Sequence, residues 1–346
     1  MIECIFTLDY EIYGNGSGSL RELVYEPAER LKNIFIKRNA RFVNFVEVAD
    51  LEKLDDYRSD WAIEMVKEQI KDLYQNGFEI GLHLHPQWCN ARYENSRWVL
   101  DAGEYNLCTL SRARISQIVQ GALDYLRSVL GQEDFTPLSF RAGNWLFQPT
   151  QAAAEVLADY GIKIDSSVFK GGVQHNHGLN YRPAKNNGRY WNFSKDVNRS
   201  DPAGVWTEVP IYTEMVPFWK MLTTKRMGLG AGNSLSSHDM RHKINRARDF
   251  LRFHYPMKLD FCRMTLNELT GMLNKAVRED KNEPERYWPI VAIGHTKDLN
   301  DPRTVDDFLG FLQEKGISVS TLEAAFPNLS QGTETDFTRP MPATCI

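Results

Sequence analysis

The stretch EIGLHLHP, Glu79–Pro86, is an apolar run that ends in two histidines and is stopped by a proline. Side chains alternate faces along a strand, so His83 and His85 project from one face and the two leucines beside them from the other. Proline cannot continue a sheet ladder, which places both imidazoles at the end of the strand. Their spacing allows the two rings to share one metal ion, and it equally allows a hydrogen-bonded histidine pair.

Strands and helices alternate on both sides of this stretch. We expect strands at Glu3–Asp9, Arg41–Val46, Glu79–Leu84, Leu138–Ala142, Ile162–Asp165, Pro289–Gly294 and Ile317–Ser320. We expect helices at Glu26–Arg38, Trp61–Gln75, Ser111–Leu130, Thr150–Tyr160, Thr265–Val277 and Thr304–Lys315. This alternation is typical of a parallel sheet or barrel, and periodicity alone does not distinguish an open sheet from a closed one.

Composition places the chain among globular proteins, because 42% of its 346 residues are hydrophobic. A formal net charge of -4 gives no general attraction to nucleic acid. Five scattered cysteines without a CxxC pair predict neither a disulfide framework nor a thiolate zinc site. The first residues are typical of a strand, not of a signal peptide, and no apolar run has the length of a membrane span. We therefore expect a cytoplasmic protein.

Chemically active side chains stand at the ends of five expected strands. The carboxyl ends of parallel strands meet at one edge of the sheet, where ligands bind. A structural role would need a separate explanation for each side chain, such as a loop acid, a buried ion pair or a turn residue, whereas one polar site explains all of them together. These side chains are Asp9, Glu11, His83, His85, Arg141, Asp165 and His295.

In this order, the motifs TLDYE, EIGLHLHP, FRAGNW, DSSV and AIGH resemble the five motifs of the polysaccharide deacetylase family, carbohydrate esterase family four, which has the chitooligosaccharide deacetylase homology domain. The resemblance covers about residues 1–170 and 285–325. Two features depart from the common pattern. Tyr10 separates Asp9 from Glu11, and the histidines are two residues apart instead of four. Some branches of the family have an acid-x-acid motif and an HxHP motif, which this chain matches.

The resemblance implies an α/β fold, namely a distorted (β/α) barrel of about seven strands over residues 1–330. Residues from about 170 to 285 break the alternation, and we expect a large insertion there. We expect residues 331–346 to form a flexible tail, because they lack any apolar periodicity.

The activity that the resemblance implies is metal-dependent hydrolysis of an acetamide on an N-acetylated sugar of a polysaccharide or glycan precursor, with release of acetate. Glu11, His83 and His85 would bind a divalent metal ion. We expect zinc, although two imidazoles and one carboxylate also suit cobalt, nickel or iron.

The resemblance also assigns the catalytic roles. Asp9 would be the general base and His295 the general acid. Arg141 would hold Asp9 in its ionised form, and Asp165 would orient His295. The sequence leaves open whether Asp9 and Glu11 exchange the roles of base and ligand.

Three other functions remain open at this point. A carbohydrate-binding relative without catalysis is favoured by the altered spacings, Tyr10 and Gln87, and opposed by the retained base, acid and orienting groups. An amidohydrolase could cleave another C–N bond in a small molecule with the same residues. A glycosidase with two carboxylates would leave the two histidines unexplained.

Five further segments have simpler interpretations. HDMRH, His238–His242, has the spacing of a helical zinc pair but lacks the glutamate of a metalloprotease. HNH, His175–His177, is expected to be solvated, and YGNGSGS, Tyr13–Ser19, is expected to turn over the site because it lacks the lysine of a phosphate loop. VPFWKML, Val216–Leu222, and the basic run Arg241–Lys258 are expected to be core and solvated helix. The alternative hypothesis is that they meet a lipid-linked or phosphate-bearing glycan at a membrane surface.

Overall fold

The computed structural model describes residues 1–184, 189–221, 254–282 and 286–335. Its strands are β1 (Ile2–Tyr10), β2 (Val43–Glu47), β3 (Glu79–Leu84), β4 (Arg92–Glu94), β5 (Arg97–Val99), β6 (Ser139–Ala142), β7 (Ile164–Asp165), β8 (Val173–Gln174), β9 (Leu179–Asn180), β10 (Trp191–Phe193), β11 (Trp206–Glu208), β12 (Thr213–Pro217), β13 (His254–Lys258), β14 (Trp288–His295) and β15 (Ser318–Ser320). Its α-helices are α1 (Glu26–Lys37), α2 (Val48–Asp56), α3 (Ile63–Gln75), α4 (Arg112–Leu130), α5 (Gln151–Asp159), α6 (Leu266–Asp280), α7 (Pro302–Glu314) and α8 (Leu322–Thr335).

One nine-stranded sheet organises the described chain. Its strand order is β10-β11-β7-β6-β3-β2-β1-β14, and β15 pairs with the first half of β1. Its ladders are parallel except the one between β10 and β11. The carboxyl ends of β1, β3, β6 and β14 therefore lie along one edge. This arrangement confirms the mixed α/β fold that the alternation of elements predicted.

The predicted closed barrel is borne out only in part. The sheet curls, but β10 and β14 are the two ends of its ladder path. Isolated parallel bridges join Phe169 to Ile211, Ile211 to Val291, and Asp260 to Ile293 on β14. Single bridges from the segments after β11 and β13, in place of a continuous strand, thus lie against the open side of β14, and the segment after β7 bridges the one after β11.

Local signals set the ends of the helices. The Ser111 hydroxyl accepts a hydrogen bond from the Arg114 amide at the start of α4, and Gly131 ends that helix in the left-handed conformation with φ +66°. Thr265 and Glu268 form a reciprocal capping box at the start of α6. These are the positions at which the sequence predicted the helices to begin or end.

A chain of phenylalanine rings attaches the helices to the sheet. The ring centroids of Phe6 and Phe35 lie 5.1 Å apart, those of Phe35 and Phe42 5.1 Å, and those of Phe42 and Phe78 4.5 Å. All four side chains are buried. Aromatic pairs of this kind add to the free energy gained by burying their area. They hold α1 against β1 and against the segments that lead into β2 and β3. The predicted metal ligands and the predicted general base lie on or directly after β1 and β3.

The region predicted as an insertion takes part in the main sheet. β11 pairs in parallel with β7, and β10 adds an antiparallel strand outside it. β12 and β13 form a separate two-stranded antiparallel sheet. The segment His238–His242 and the basic run as far as residue 253 lie outside the described residues. No helix in the described ranges is long and apolar enough to cross a membrane.

Helix α8, Leu322–Thr335, extends into the first five residues of the predicted tail. Leu322, Ala325 and Leu329 lie on one face of this helix and are fully buried. The sequence analysis ended the ordered chain too early, since Pro327 within the helix obscures its periodicity. The rest of the predicted tail, residues 336–346, lies outside the described residues.

Glu79 is a buried acid at the amino end of β3, at the opposite end of the strand from the histidines. Its carboxylate accepts hydrogen bonds from the Ser139 hydroxyl and from the Glu323 amide, each at 2.7 Å, and so links β3 to β6 and α8. Burial raises the pKa of Glu79 to about 7. The folded state therefore holds this proton more tightly than the unfolded state, and stability falls as the pH rises from about 4.5 to about 7.

We predict that Glu79→Gln flattens this decline, because glutamine keeps one of the two acceptor oxygens and does not titrate. Between pH 5 and pH 8 the free energy of unfolding should fall by about 2 kcal/mol less than in the wild type. Urea unfolding at four pH values measures the difference. Glu68→Gln, on the exposed face of α3, is the control and should leave the slope unchanged. A wild-type slope in Glu79→Gln would contradict the prediction.

Candidate functional site

Glu11, His83 and His85 meet at the carboxyl edge of the sheet and are referred to below as the Glu–His cluster. Glu11 Oε2 lies 3.1 Å from His85 Nε2 and 3.7 Å from His83 Nε2. All three side chains are buried, and the two imidazole centroids are 4.9 Å apart. One possible ligand atom from each residue falls within 4.8 Å of the others. Two imidazoles and one carboxylate at this spacing fit a single divalent metal ion.

Contacts behind the rings determine which nitrogen faces the cluster. His83 Nδ1 lies 2.8 Å from the Arg141 carbonyl oxygen, which needs a donor and so leaves the Nε2 lone pair for a metal. His85 Nδ1 lies 3.2 Å from an amide nitrogen of Gln87 and of Asn144. Gln87 Oε1 is buried and has no hydrogen-bond partner among the described atoms. Turning this amide over would bring its oxygen to His85 Nδ1 and give both rings the polarity of metal ligands.

Lys297 neutralises the carboxylate of the cluster. Its ammonium group donates to Glu11 Oε1 and to the Ile12 carbonyl oxygen, each at 2.9 Å. Burial opposes the ionisation of Glu11, but Lys297 and the two histidines outweigh it and hold the pKa of Glu11 well below its usual range. Burial likewise opposes the charge on Lys297, but Glu11 raises the pKa of Lys297 above its usual value. One oxygen of Glu11 thus faces Lys297 and the other faces the imidazoles.

Asp9 is held apart from the cluster by Arg141. Arg141 Nη1 donates to Asp9 Oδ1 at 2.5 Å, and Nη2 donates to the hydroxyls of Thr7 and Ser166 at 2.9 and 3.1 Å. The guanidinium carbon lies 4.2 Å from the centroid of the Phe45 ring. Burial opposes the ionisation of Asp9, but Arg141, together with the nearby histidines, lowers the pKa of Asp9 below its usual value. Asp9 is therefore a carboxylate at neutral pH.

His295 ends β14 and connects Asp9 to a second acid. Its Nε2 atom lies 3.3 Å from Asp9 Oδ2 and 3.9 Å from Glu11 Oε1. On the other side of the ring, Nδ1 lies 3.6 Å from Asp298 Oδ2. Arg263 fixes that oxygen from Nε and Nη2 at 2.8 and 2.7 Å. Asp298 is thus the carboxylate placed behind His295.

Asp165 does not occupy the position that the sequence predicted. Its carboxylate accepts hydrogen bonds from the hydroxyl and the amide of Ser167, at 2.6 and 3.2 Å, and lies opposite Glu208 in the β7–β11 ladder. Among the described residues, no ion pair or hydrogen bond joins Asp165 to His295, whose acidic neighbours are Asp9, Glu11 and Asp298. The prediction that Asp165 orients His295 is therefore corrected: Asp165 is a turn acid, and Asp298 stands beside the histidine.

A strained turn brings two more side chains to the site. Asn144 and Trp145, directly after β6, both have left-handed backbones, with φ 54° and 65°. Such conformations cost about 1 kcal/mol or more each and persist only where the surroundings impose them. A Cβ at Gly143 would lie 2.4 Å from the Leu84 carbonyl oxygen and 2.7 Å from the His85 ring. Glycine at this position allows β6 to end against the histidine strand, and the turn then directs Asn144 and Trp145 toward the site.

A cavity of about 210 Å³ opens at this edge. It is lined by Asp9, Glu11, Gly14, His83, His85, Ala142, Asn144, Trp145, His295 and Lys297. Lys258 of β13 stands behind it, with its ammonium nitrogen 3.7 Å from the centroid of Trp145, and burial lowers the pKa of Lys258 to about 8. The structure thus brings together six of the seven predicted residues and leaves Asp165 outside.

The sequence analysis missed Lys297, Asp298, Asn144, Lys258 and Arg263 as site residues. A signal for the first two was present in GHTKD, because charged residues directly after a strand-terminal histidine remain at the same edge of the sheet. Asn144 follows the glycine of FRAGNW, directly after the expected strand Leu138–Ala142. Lys258 and Arg263 come from the predicted insertion, and no local pattern connects them with β14.

We predict that Arg141→Met destabilises the protein by about 3–5 kcal/mol, because it leaves the Asp9 carboxylate buried without a counter-charge. Asp9→Asn in the same chain should restore part of this loss, since it removes the uncompensated charge. A double-mutant cycle measured by urea unfolding gives the coupling energy. Arg112→Met, which breaks an exposed ion pair with Glu155, is the control and should cost less than about 1 kcal/mol. A double variant no more stable than Arg141→Met would contradict the prediction.

No family model matches the chain, and no curated protein matches it. The structure is similar to that of a protein from Mycobacterium smegmatis assigned as a polysaccharide deacetylase, with 13% sequence identity, a TM-score of 0.54, and coverage of 98% of this chain and 94% of that one. A protein from Pseudomonas aeruginosa PAO1 with the same assignment has 13% identity, a TM-score of 0.50, and coverage of 98% and 93%.

Enzymes named for other reactions have similar structures. PuuE allantoinase has 9% identity, a TM-score of 0.50, and coverage of 98% of this chain and 92% of that one. A GH57 branching enzyme from Thermococcus kodakaraensis has 10% identity, a TM-score of 0.53, and coverage of 94% and 70%. At these identities the similarity concerns the fold, and function has to be argued from the site. The chain therefore has the fold of the polysaccharide deacetylases, as its ordered motifs predicted.

Proposed function

We propose that the protein hydrolyses the acetamide group of an N-acetylated sugar with one divalent metal ion. The observation that carries the proposal is the separation of the two acids, with one carboxylate facing two imidazoles and the other facing Arg141 and His295. A ligand set of two nitrogens and one oxygen leaves coordination positions open, as in catalytic zinc sites. The fold shared with polysaccharide deacetylases supports the same activity.

The contacts favour Glu11 as the metal ligand and Asp9 as the base. Glu11 Oε2 points at both imidazole Nε2 atoms, while Asp9 Oδ1 is engaged by a buried arginine. A carboxylate held by Arg141 in this way is ionised and fixed in direction, as a general base requires. Glu11 instead has one oxygen free of cationic partners and directed at the cluster.

A metal ion held by the Glu–His cluster would polarise the amide carbonyl and lower the pKa of a water molecule. Asp9 accepts the proton of the attacking water as the new C–O bond forms. His295, 3.3 Å from Asp9, donates a proton to the sugar nitrogen as the C–N bond breaks, which releases acetate and the free amine. Asp298, 3.6 Å from the Nδ1 atom, would stabilise the charged form of the ring, and Arg263 holds Asp298 in place.

The dimensions of the site suit this substrate class. A cavity of about 210 Å³ accommodates an acetamide group and part of one sugar ring, and the Trp145 indole forms part of its wall. We propose zinc as the metal and an N-acetylated or lipid-linked glycan precursor, met in the cytoplasm, as the substrate. The second candidate function is hydrolysis of another C–N bond in a small molecule, because one neighbour in fold is named an allantoinase and the same residues would serve both reactions.

We predict that the wild-type protein binds one equivalent of zinc and that the double variant His83→Ala, His85→Ala binds none. Elemental mass spectrometry of the purified proteins after dialysis against zinc measures the metal content. The matched control is His175→Ala, His177→Ala, which removes two exposed histidines with the same spacing and should keep the metal. Equal metal content in wild type and the first double variant would contradict the proposed ligands. A wild type that takes up neither zinc nor cobalt would leave a carbohydrate-binding protein without catalysis as the better account.

We predict that Asp9→Asn mainly lowers the rate of acetate release and that Glu11→Gln mainly lowers the affinity for zinc. Asp9→Asn should keep stoichiometric zinc and release acetate from N-acetylated sugars about 10²–10⁴-fold more slowly, because it lacks the general base. Glu11→Gln should bind zinc at least about tenfold more weakly, because it lacks a charged ligand. Titration calorimetry with zinc and an acetate assay separate the two effects. If Asp9→Asn loses the metal and Glu11→Gln keeps it, the two acids exchange roles.

A further inference from the structure

A second cavity, of about 470 Å³, lies beside the first and has no part in the reaction described above. Its walls are the glycine-rich loop, the turn that follows α2, and the β4–β5 hairpin, and we call it the hairpin cleft. Gly14 lines the catalytic cavity, and the next residues, Asn15–Gly18, line the hairpin cleft. One loop thus separates the two cavities, so a ligand longer than one sugar unit could occupy both.

Aromatic side chains form one wall of the hairpin cleft. The ring centroid of Trp98 lies 5.0 Å from that of Tyr93 and 5.1 Å from that of Trp88. Trp98 and Tyr93 are half-buried, so part of each ring faces the cleft. A Cβ at Gly16 would lie 2.5 Å from Trp98 and 2.9 Å from Trp88, so only glycine allows the loop to pack this closely. The wall is therefore fixed in place before any ligand binds, as rigid aromatic surfaces in binding sites are.

Arg97 is available to a ligand in the hairpin cleft. Among the described residues, the guanidinium of Arg97 has no hydrogen-bond or ion-pair partner, while Arg92 of the same hairpin pairs with Glu94 at 3.0 Å. The acid that lines the cleft, Asp60, already accepts hydrogen bonds from two backbone amides at 2.8 and 2.9 Å. The Ser59 hydroxyl is shielded from solvent and is therefore not open to a ligand. An arginine without an ion-pair partner in a cleft recognises carboxylates and phosphates.

We propose that the hairpin cleft binds the sugar unit adjacent to the acetylated one, and that this unit carries an anionic group that pairs with Arg97. This inference rests on the proposed deacetylase function. The aromatic wall contacts the apolar face of the sugar ring, the exposed Ser17 and Ser96 hydroxyls bind its hydroxyl groups, and Arg97 selects the acidic substituent. The substrate class is accordingly an acidic oligosaccharide with an N-acetylated unit. The anion is a carboxylate on the sugar or a phosphate attached to it.

Titration calorimetry with the zinc-loaded full chain tests the proposal. The probes are N-acetylglucosamine, its neutral disaccharide, the disaccharide of glucuronic acid and N-acetylglucosamine, and the disaccharide of glucose 6-phosphate and N-acetylglucosamine. The glucuronic acid disaccharide or the glucose 6-phosphate disaccharide should bind at least about tenfold more tightly than the neutral probes at low salt, and the preference should shrink at high salt. Whichever acidic probe binds more tightly identifies the anion.

Arg97→Gln should abolish the preference for the acidic probe and leave the affinity for N-acetylglucosamine unchanged. Arg92→Gln, on the same hairpin, is the matched control and should keep the preference. Equal affinity for acidic and neutral probes in the wild type, an intact preference in Arg97→Gln, or no binding of any probe would each overturn the proposal. Acetate release is measured separately. Arg97-dependent binding without acetate release would refute the deacetylase function and keep the cleft, whereas acetate release without an effect of Arg97 would do the reverse.

Discussion

A fully buried guanidinium group imposes the main constraint on this structure. Arg141 takes its positive charge out of water, which is unfavourable unless the charge is paired and its donors are satisfied. Asp9 supplies the charge, Thr7 and Ser166 supply the oxygens, and Phe45 supplies an aromatic face. These partners come from β1, from β2 and from the turn after β7. The contacts that compensate for the burial of Arg141 therefore bring three segments together at the edge where the site lies.

The site separates two acids that are two residues apart by giving each its own cation. Asp9 forms an ion pair with Arg141, and Glu11 forms one with Lys297. Each cation compensates for the burial of its acid, so both carboxylates are ionised within a few ångströms of each other. Tyr10, which intervenes, points away and is bonded to Gln69. The acid-x-acid spacing is thus a consequence of strand alternation, because both acids need the same face.

The sequence predicted correctly the elements that begin at a capping residue or end before a proline. β3 has the predicted bounds, and α4 and α6 begin at their predicted caps. It missed α2, which starts directly after β2 without a loop and is capped by the last residue of that strand, Glu47. It also missed the short β4–β5 hairpin, and it assigned Asp165 the place that Asp298 holds. A carboxylate's partner depends on which strand ends become neighbours, and this is decided by packing between segments far apart in sequence.

The insertion is more closely tied to the active centre than its place in the sequence suggests. Lys258 lies against the Trp145 ring, Arg263 holds Asp298, and Asp260 bridges β14 through the backbone. The chain therefore lacks the modular organisation in which a catalytic scaffold carries an exchangeable accessory segment. Replacing the segment between β7 and α6 would remove the Lys258 contact with Trp145 and the Arg263 contact with Asp298. Relatives that differ in this segment are accordingly expected to differ in reactivity as well as in substrate preference.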